Sequence, residues 1–157
     1  MKEKLSSVFY MWVAFACGVL AVLFMFAPVM TNEYTTYVNA TQLFWNDSID
    51  YTPSVYGAWP SFVGYMLILV GAIASGVVAL PIIQPSAKVE KIVLISSIAC
   101  MVVGLVAVGL LQVIYSGFNS GVMFGIDRLT YLWGWYVTMS LGVIAVAMDC
   151  VALKLDW

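Results

Sequence analysis

The sequence predicts an all-α integral membrane protein: an antiparallel four-helix transmembrane bundle with a partly ordered first outer loop. Three observations predict this fold class. The chain has 157 residues, of which 64% are hydrophobic and only 9% are charged; it contains four long apolar stretches; and its lysines lie on one side of those stretches. Soluble domains carry about 25% charged residues and leave much of their surface in water, so a soluble domain of this length could not bury so many apolar side chains.

Four segments are long enough to cross a bilayer, and we predict that they form one domain over residues 1–157. A span needs about 20 apolar residues, at a rise of 1.5 Å each, to cross hydrocarbon about 30 Å thick. The predicted spans are 8–30, 61–83, 92–114 and 131–153, and the predicted outer loops are 31–60 and 116–130. The first span is longer than the h-region of a signal peptide, which has about 7–15 residues, and it lacks a small-residue cleavage site. We therefore expect it to be retained.

Basic and aromatic residues predict how the spans are oriented. The lysines Lys2, Lys4, Lys88, Lys91 and Lys154 all fall on one side of the predicted spans, whereas Arg128 falls on the other. Because short loops rich in Lys and Arg stay in the cytoplasm, both termini should be cytoplasmic in a multi-pass protein of the cell membrane. Trp and Tyr prefer the membrane–water interface. The aromatic residues expected at the outer interface are Trp59, Tyr65, Tyr115, Tyr131, Trp133, Trp135 and Tyr136.

Rows of small residues indicate how the predicted helices approach each other. Gly71 with Ser75, and Ala72 with Gly76, recur at a spacing of four, which places each pair on one face of the second span. Small residues let helix backbones come close together in lipid. We interpret the rows as packing surfaces within the bundle, with the seam of a homo-oligomer as the alternative.

The first outer loop, 31–60, is long for a connection and rich in aromatic residues. Residues 34–38 have the composition of a short strand. Asn39 and Gln42 have the spacing of a capping box at the start of a short helix. The candidate partner-binding residues are Tyr37, Trp45, Tyr56 and Trp59. One interpretation is that they only seal the outer surface; the other is a recognition surface, since aromatic residues are enriched at interfaces.

Asp149 is the acidic residue within the predicted spans, and an ionisable residue in a span is a functional candidate. It lies four residues before Leu153, about 6 Å from the inner end of its span. One interpretation is that its side chain reaches the inner headgroup region. The other is an intramembrane site for a proton or a cation.

The residue types in the sequence argue against most kinds of catalytic, metal-binding and nucleic-acid-binding site. The chain has no histidine, which is the commonest general base and metal ligand. Cys17, Cys100 and Cys150 form no C-x-x-C pair, so no disulfide framework is indicated. The sequence has no run of basic residues that could follow the phosphates of a nucleic acid. We predict no catalytic, cofactor-binding or metal-binding residues and no nucleic-acid partner.

The leading functional hypothesis is therefore a non-enzymatic structural or accessory subunit of the cell envelope. Its expected partners are the lipid bilayer and another membrane or extracellular protein, recognised through the aromatic outer loop. A small proton- or cation-coupled transporter or channel that uses Asp149 is one alternative. A membrane immunity protein, which would shield the bilayer from a toxin, is another.

Two resemblances accompany this interpretation. The four-span layout, together with Trp45 and the stretch 56–59, resembles the claudin and peripheral-myelin group, although the two loop cysteines of that group's signature are absent. The stretch 26–29 leading to 42–44, and 134–136 at the start of the fourth span, resemble small uncharacterised four-span proteins of low-GC Gram-positive bacteria. That second resemblance implies a four-span fold and no particular activity.

Overall fold

The computed structural model describes residues 2–32, 35–45, 58–83, 86–119 and 130–155, which are mostly helical. In chain order the elements are α1 (Lys2–Leu23), a 3-10 turn (Phe24–Phe26), β1 (Pro28–Asn32), β2 (Thr35–Asn39), α2 (Ala40–Trp45), α3 (Trp59–Val78), α4 (Ala87–Gly109), α5 (Leu111–Asn119), β3 (Thr130–Tyr131) and α6 (Trp133–Leu155).

Four helices in the described part of the chain are long and apolar enough to cross a membrane. They are α1 with its 3-10 turn, from Ser6 to Phe26, and the helices α3, α4 and α6. The prediction of four apolar helices of spanning length is thus confirmed. Their outward faces carry large apolar side chains, such as Val103 and Val143, which are 56% and 57% exposed. Soluble proteins rarely expose extended apolar surfaces, so these helices suggest a multi-pass membrane protein.

The predicted boundaries of the first two spans are wrong near prolines. The first span was predicted to continue to residue 30, but α1 ends at Leu23 and the 3-10 turn ends at Phe26. Ala27 is extended (φ −80°, ψ 160°) because a residue before proline avoids the helical region. Helix α3 starts at Trp59 instead of residue 61, since Pro60 is well tolerated in a first helical turn. It ends at Val78, before Pro81.

The third and fourth spans also differ from prediction at their ends. Helix α4 runs Ala87–Gly109 instead of 92–114, so its first turns include charged residues that the hydropathy criterion left out. A new helix, α5, begins at Leu111 after the break at Leu110. Helix α6 is shifted by two residues, to Trp133–Leu155. Helices can extend past an apolar stretch because backbone hydrogen bonding does not end where hydrophobicity does.

The prediction of an all-α fold is wrong in one respect, because the described residues include a small antiparallel sheet. Its strand order is β2-β1-β3, so β3, which lies between α5 and α6, pairs with β1, which lies between α1 and α2. Met30 lies opposite Val38 on one side and opposite Tyr131 on the other. Pro28 lacks an N–H donor and stands at the first position of its strand, where proline is tolerated.

The four long helices pack side by side in a closed arrangement. Helix α3 contacts both α1 and α4, and α6 contacts these same two helices. The rows of small residues lie in these contacts. A Cβ atom added to Gly71 on α3 would lie 2.8 Å from the Ser97 carbonyl oxygen on α4, and one added to Gly76 would lie 2.7 Å from the Phe15 ring on α1. The rows therefore serve packing within the chain, as we interpreted them.

Candidate functional site

A folded cap covers one end of the helices, the end at which α1 finishes and α3 and α6 begin. We use the word cap for β1, β2, α2 and β3 together. Strand β1 contacts α6, and α2 contacts α3 and the 3-10 turn after α1. Within the predicted first outer loop the structure describes residues 31–32, 35–45 and 58–60, which include β2 and α2.

The structure describes the side chain of one of the four candidate partner-binding residues. Tyr37 lies in β2 and Trp45 is the last residue of α2, but the side chains of both lie outside what the structure describes. Tyr56 lies outside the described residues altogether. Trp59, the first residue of α3, is 61% exposed. The structure therefore places Trp59 on an accessible surface at the cap end of the helices.

The predicted capping box at Asn39 is confirmed. The Asn39 Oδ1 atom accepts a hydrogen bond from the backbone N–H of Gln42 at 2.9 Å, and the Asn39 backbone N–H donates to Gln42 Oε1 at 3.0 Å. The Thr41 hydroxyl donates to the same Asn39 Oδ1 at 2.7 Å. These bonds satisfy backbone groups that a helix N-terminus leaves free, so they fix the direction in which α2 leaves the sheet.

An aromatic contact anchors α2 to α3. Phe44 is only 3% exposed. Its ring meets those of Phe62 and Tyr65 edge to face, with centroids 5.6 Å and 5.7 Å away. Edge-to-face pairs contribute about 0.5–1.5 kcal/mol beyond the burial of their area. The cap is thus held by side-chain packing as well as by strand pairing.

Tyr131 of β3 joins the cap to the region where α4 gives way to α5. Its ring stacks on that of Trp135 with centroids 4.1 Å apart. Its hydroxyl donates to the Gly109 carbonyl oxygen and accepts from the Gln112 backbone N–H, both at 3.1 Å. Burial raises the pKa of the Tyr131 phenol, while the hydrogen bond from Gln112 lowers it and the neighbouring Tyr136 raises it slightly. This phenol is a structural link that holds best when it is neutral.

Asp149 forms a second site, buried between three helices. It is fully buried, although it lies only six residues, about 9 Å, before the end of α6. Ser75 on α3 donates to its Oδ1 at 2.6 Å, and Ser97 on α4 donates to its Oδ2 at 2.7 Å. The carboxyl group therefore faces the neighbouring helices, whereas the first of our two interpretations expected its side chain to reach away from them.

The same half of the structure holds further buried polar residues that the sequence reasoning missed. Ser7 on α1 is fully buried and Glu90 on α4 is 8% exposed. We had placed Glu90 in the connection between the second and third spans. It lies instead in the first turn of α4, on the buried face that continues through Leu94 and Ser97. The spacing of four and then three residues was the signal that could have revealed this face.

Tyr65 is another buried polar residue that the prediction misplaced. It was expected at the outer interface, yet it is fully buried on α3. Its hydroxyl lies beside the Thr138 side chain but has no hydrogen-bond partner among the described residues. The Thr138 hydroxyl donates instead to the Ala21 carbonyl oxygen, at 3.3 Å. Tyr115 is also buried, whereas Trp133 and Tyr136 are exposed.

Within the described residues, no three histidine, cysteine, aspartate or glutamate side chains come together in a group that could hold a metal ion. The three cysteines are free thiols, with Cys17 and Cys100 half-buried and Cys150 exposed. The chemistry that this arrangement offers at Asp149 is thus hydrogen bonding and proton or cation binding by oxygen atoms.

Comparison with protein-family models, with curated proteins and with solved structures finds no match for this chain. Functional proposals therefore depend on the cap and on the buried cluster around Asp149.

Proposed function

We propose that the protein is a non-enzymatic, antiparallel four-helix bundle of the cell membrane, with cytoplasmic termini, whose cap recognises a partner at the outer surface. The anchoring of the cap carries this proposal. Strands from both outer loops pair in one sheet, and Phe44 fixes α2 against α3. A surface held in this way is preorganised, so a partner that binds it loses less free energy to ordering. Trp59, 61% exposed at its edge, is a residue type that anchors interfaces.

Simultaneous alanine replacement of Tyr37, Trp45 and Trp59 tests the recognition proposal. A protein that crosslinks to the parent chain in intact cells, and then co-purifies with it in mild detergent, should be lost from the triple variant. Trp12→Ala is the matched control, because Trp12 is an exposed tryptophan on α1 away from the cap. Both variants should keep the helical circular dichroism of the parent. Equal crosslinking of the triple variant and the control would contradict the proposal.

The proposed orientation is tested by labelling single cysteines. In a chain whose three native cysteines are replaced by alanine, Lys88→Cys should react with a membrane-impermeant maleimide in inverted vesicles and not in intact cells. Thr41→Cys, in the cap, should show the opposite pattern. Lys88 is exposed at the start of α4, so its reactivity reports the side of the membrane. Labelling of Lys88→Cys in intact cells would overturn the orientation.

A second candidate function, proton- or cation-coupled transport, is favoured by Asp149. A carboxyl group enclosed by helices is costly to keep without a purpose or a partner. Asp149→Asn should abolish proton- or cation-driven flux in liposomes that contain the purified chain. Ser140→Ala is the control, because Ser140 is exposed on the same helix. If the parent chain carries no flux across a broad set of cations, this candidate fails.

A further inference from the structure

Three short contacts between oxygen atoms define the cluster around Asp149. Ser75 Oγ lies 2.6 Å from Asp149 Oδ1, Ser97 Oγ lies 2.7 Å from Asp149 Oδ2, and the same Ser97 Oγ lies 2.8 Å from the Gly71 carbonyl oxygen. The three side chains are at most 1% exposed. Each distance is that of an O–H···O hydrogen bond, so each contact needs one proton between its two oxygens.

Counting the available protons shows that the serines cannot supply all three contacts. A serine hydroxyl has one proton to donate, whereas a carbonyl oxygen and an ionised carboxylate have none. Ser75 can fill the contact to Asp149 Oδ1. Ser97 must divide its single proton between Asp149 Oδ2 and the Gly71 carbonyl. With an ionised Asp149, one of these two contacts would bring two lone pairs together.

A proton on Asp149 Oδ2 completes the network. Oδ2–H then donates to Ser97 Oγ, the Ser97 hydroxyl donates to the Gly71 carbonyl oxygen, and the Ser75 hydroxyl donates to Oδ1. The positions of hydrogen atoms are inferred by giving each short contact between two oxygens one proton. Each of the three contacts now contains one proton, and the carboxyl group carries no charge.

Within the described residues, no charged side chain bonds with Asp149. Helix α6 packs against α1 and α4, and α3 provides Ser75. The other described titratable side chains on these helices are Tyr10 and Cys17 on α1, Tyr65 on α3, Lys88, Glu90, Lys91 and Cys100 on α4, and Tyr136, Cys150 and Lys154 on α6. In the described part of the chain the Asp149 carboxyl bonds only with Ser75 and Ser97. A buried charge without an ionic partner is strongly unfavourable, and such a group is neutralised instead.

We infer that Asp149 is a proton-binding site, with the proton held on Oδ2 in the relay Asp149–Ser97–Gly71 at neutral pH. Binding converts the carboxylate and a proton from water into the neutral acid. The inference deepens the transport proposal by naming the proton as the ligand, and it rests on that proposal only for the use of the proton. If the chain binds this proton but carries no flux, the proton-binding site stands and the transport proposal fails.

Infrared spectroscopy of the full chain in lipid nanodiscs tests the inference. At neutral pH the parent should show the carbonyl stretching band of a protonated carboxylic acid, and Asp149→Asn should lose it. Glu90→Gln should keep the band, which separates Asp149 from the other buried acid. Ser97→Ala should shift the band, because the acid loses its hydrogen-bond acceptor. Absence of the band from the parent, or its loss in Glu90→Gln with retention in Asp149→Asn, would overturn the inference.

Two further measurements separate the proton from a metal ion and from a folding defect. Exchange of potassium for sodium at constant pH should leave the band unchanged; its loss in sodium would assign the site to a metal cation. Asp149→Asn should unfold at the same denaturant concentration as the parent, because the amide can accept from Ser75 and donate to Ser97 as the neutral acid does. Asp149→Ala should unfold earlier. A large loss of stability in Asp149→Asn, equal to that in Asp149→Ala, would indicate an ionised carboxylate.

Discussion

The close approach of α3 and α4 at Gly104 gives a sharp prediction of stability. A Cβ atom on Gly104 would lie 2.5 Å from the Gly64 carbonyl oxygen and 3.0 Å from the Ile68 backbone nitrogen, whereas ordinary contact begins at 3.4 Å. The obstacles are backbone atoms, which cannot rotate away. The helices must therefore separate by about 0.9 Å at this point, and such overpacking costs about 1–3 kcal/mol.

Gly104→Ala should accordingly lower the free energy of unfolding by about 1–3 kcal/mol. Gly109→Ala, five residues later in the same helix, is the matched control. Among the described residues, its Cβ would meet only the flexible end of the Met139 side chain, at 3.5 Å. The control should change stability by less than about 1 kcal/mol. The assay is reversible unfolding of both variants in mixed detergent micelles, followed by circular dichroism. Equal stability of the two variants would refute the close backbone contact.

Three further predictions concern the cap and its supports. Asn39→Ala should weaken the start of α2 by about 0.5–2 kcal/mol, seen as faster hydrogen exchange in residues 40–45, while Asn39→Asp should retain protection; no change in exchange in the alanine variant would contradict the capping box. Tyr65→Phe should raise the free energy of unfolding, by up to about 1–3 kcal/mol, because it removes a buried hydroxyl that has no hydrogen-bond partner among the described residues. A loss of stability would reveal a partner. Because burial raises the pKa of Tyr131, its contribution to stability should be intact below the usual tyrosine pKa of about 10 and should fall as pH rises through the folded-state value. Unfolding measured against pH should show this loss in the parent and not in Tyr131→Phe.

Composition predicted the number of long helices because hydropathy is a property of whole segments. About 20 apolar residues are needed for each span, and four such segments were evident. The ends of the helices were harder to predict. Pro28 follows the end of the first helical segment, and α4 begins with charged turns that hydropathy does not identify. The capping box at Asn39 was predictable because it depends on residues only three positions apart.

The sheet could be predicted only in part. Residues 34–38 have the composition of a strand, and β2 lies at Thr35–Asn39. Strands β1 and β3 carry weaker local signals. Residues 28–30 continue an apolar segment, so they looked like the end of a span, and β3 has only two residues. The two strands pair with each other, and the paired residues are about 100 positions apart in the chain. Strand formation at such a site depends on tertiary contacts more than on local composition.

The buried cluster shows why depth along one helix is a poor guide to the environment of a polar residue. One of the two interpretations of Asp149 took its side chain to the headgroup region because the residue lies close to the end of its predicted span. That argument holds only for a side chain that faces outward, since a carboxyl group turned towards neighbouring helices is covered by their side chains at any depth. On α6 the fully buried residues include Ala145, Asp149 and Ala152, whose spacing of four and three sets one face. On α4 the same spacing of four and three residues connects Glu90, Leu94 and Ser97. A polar residue in register with the small and apolar residues of a packing face is therefore better assigned to the interior, and its hydrogen-bond partners should be sought on the facing helices.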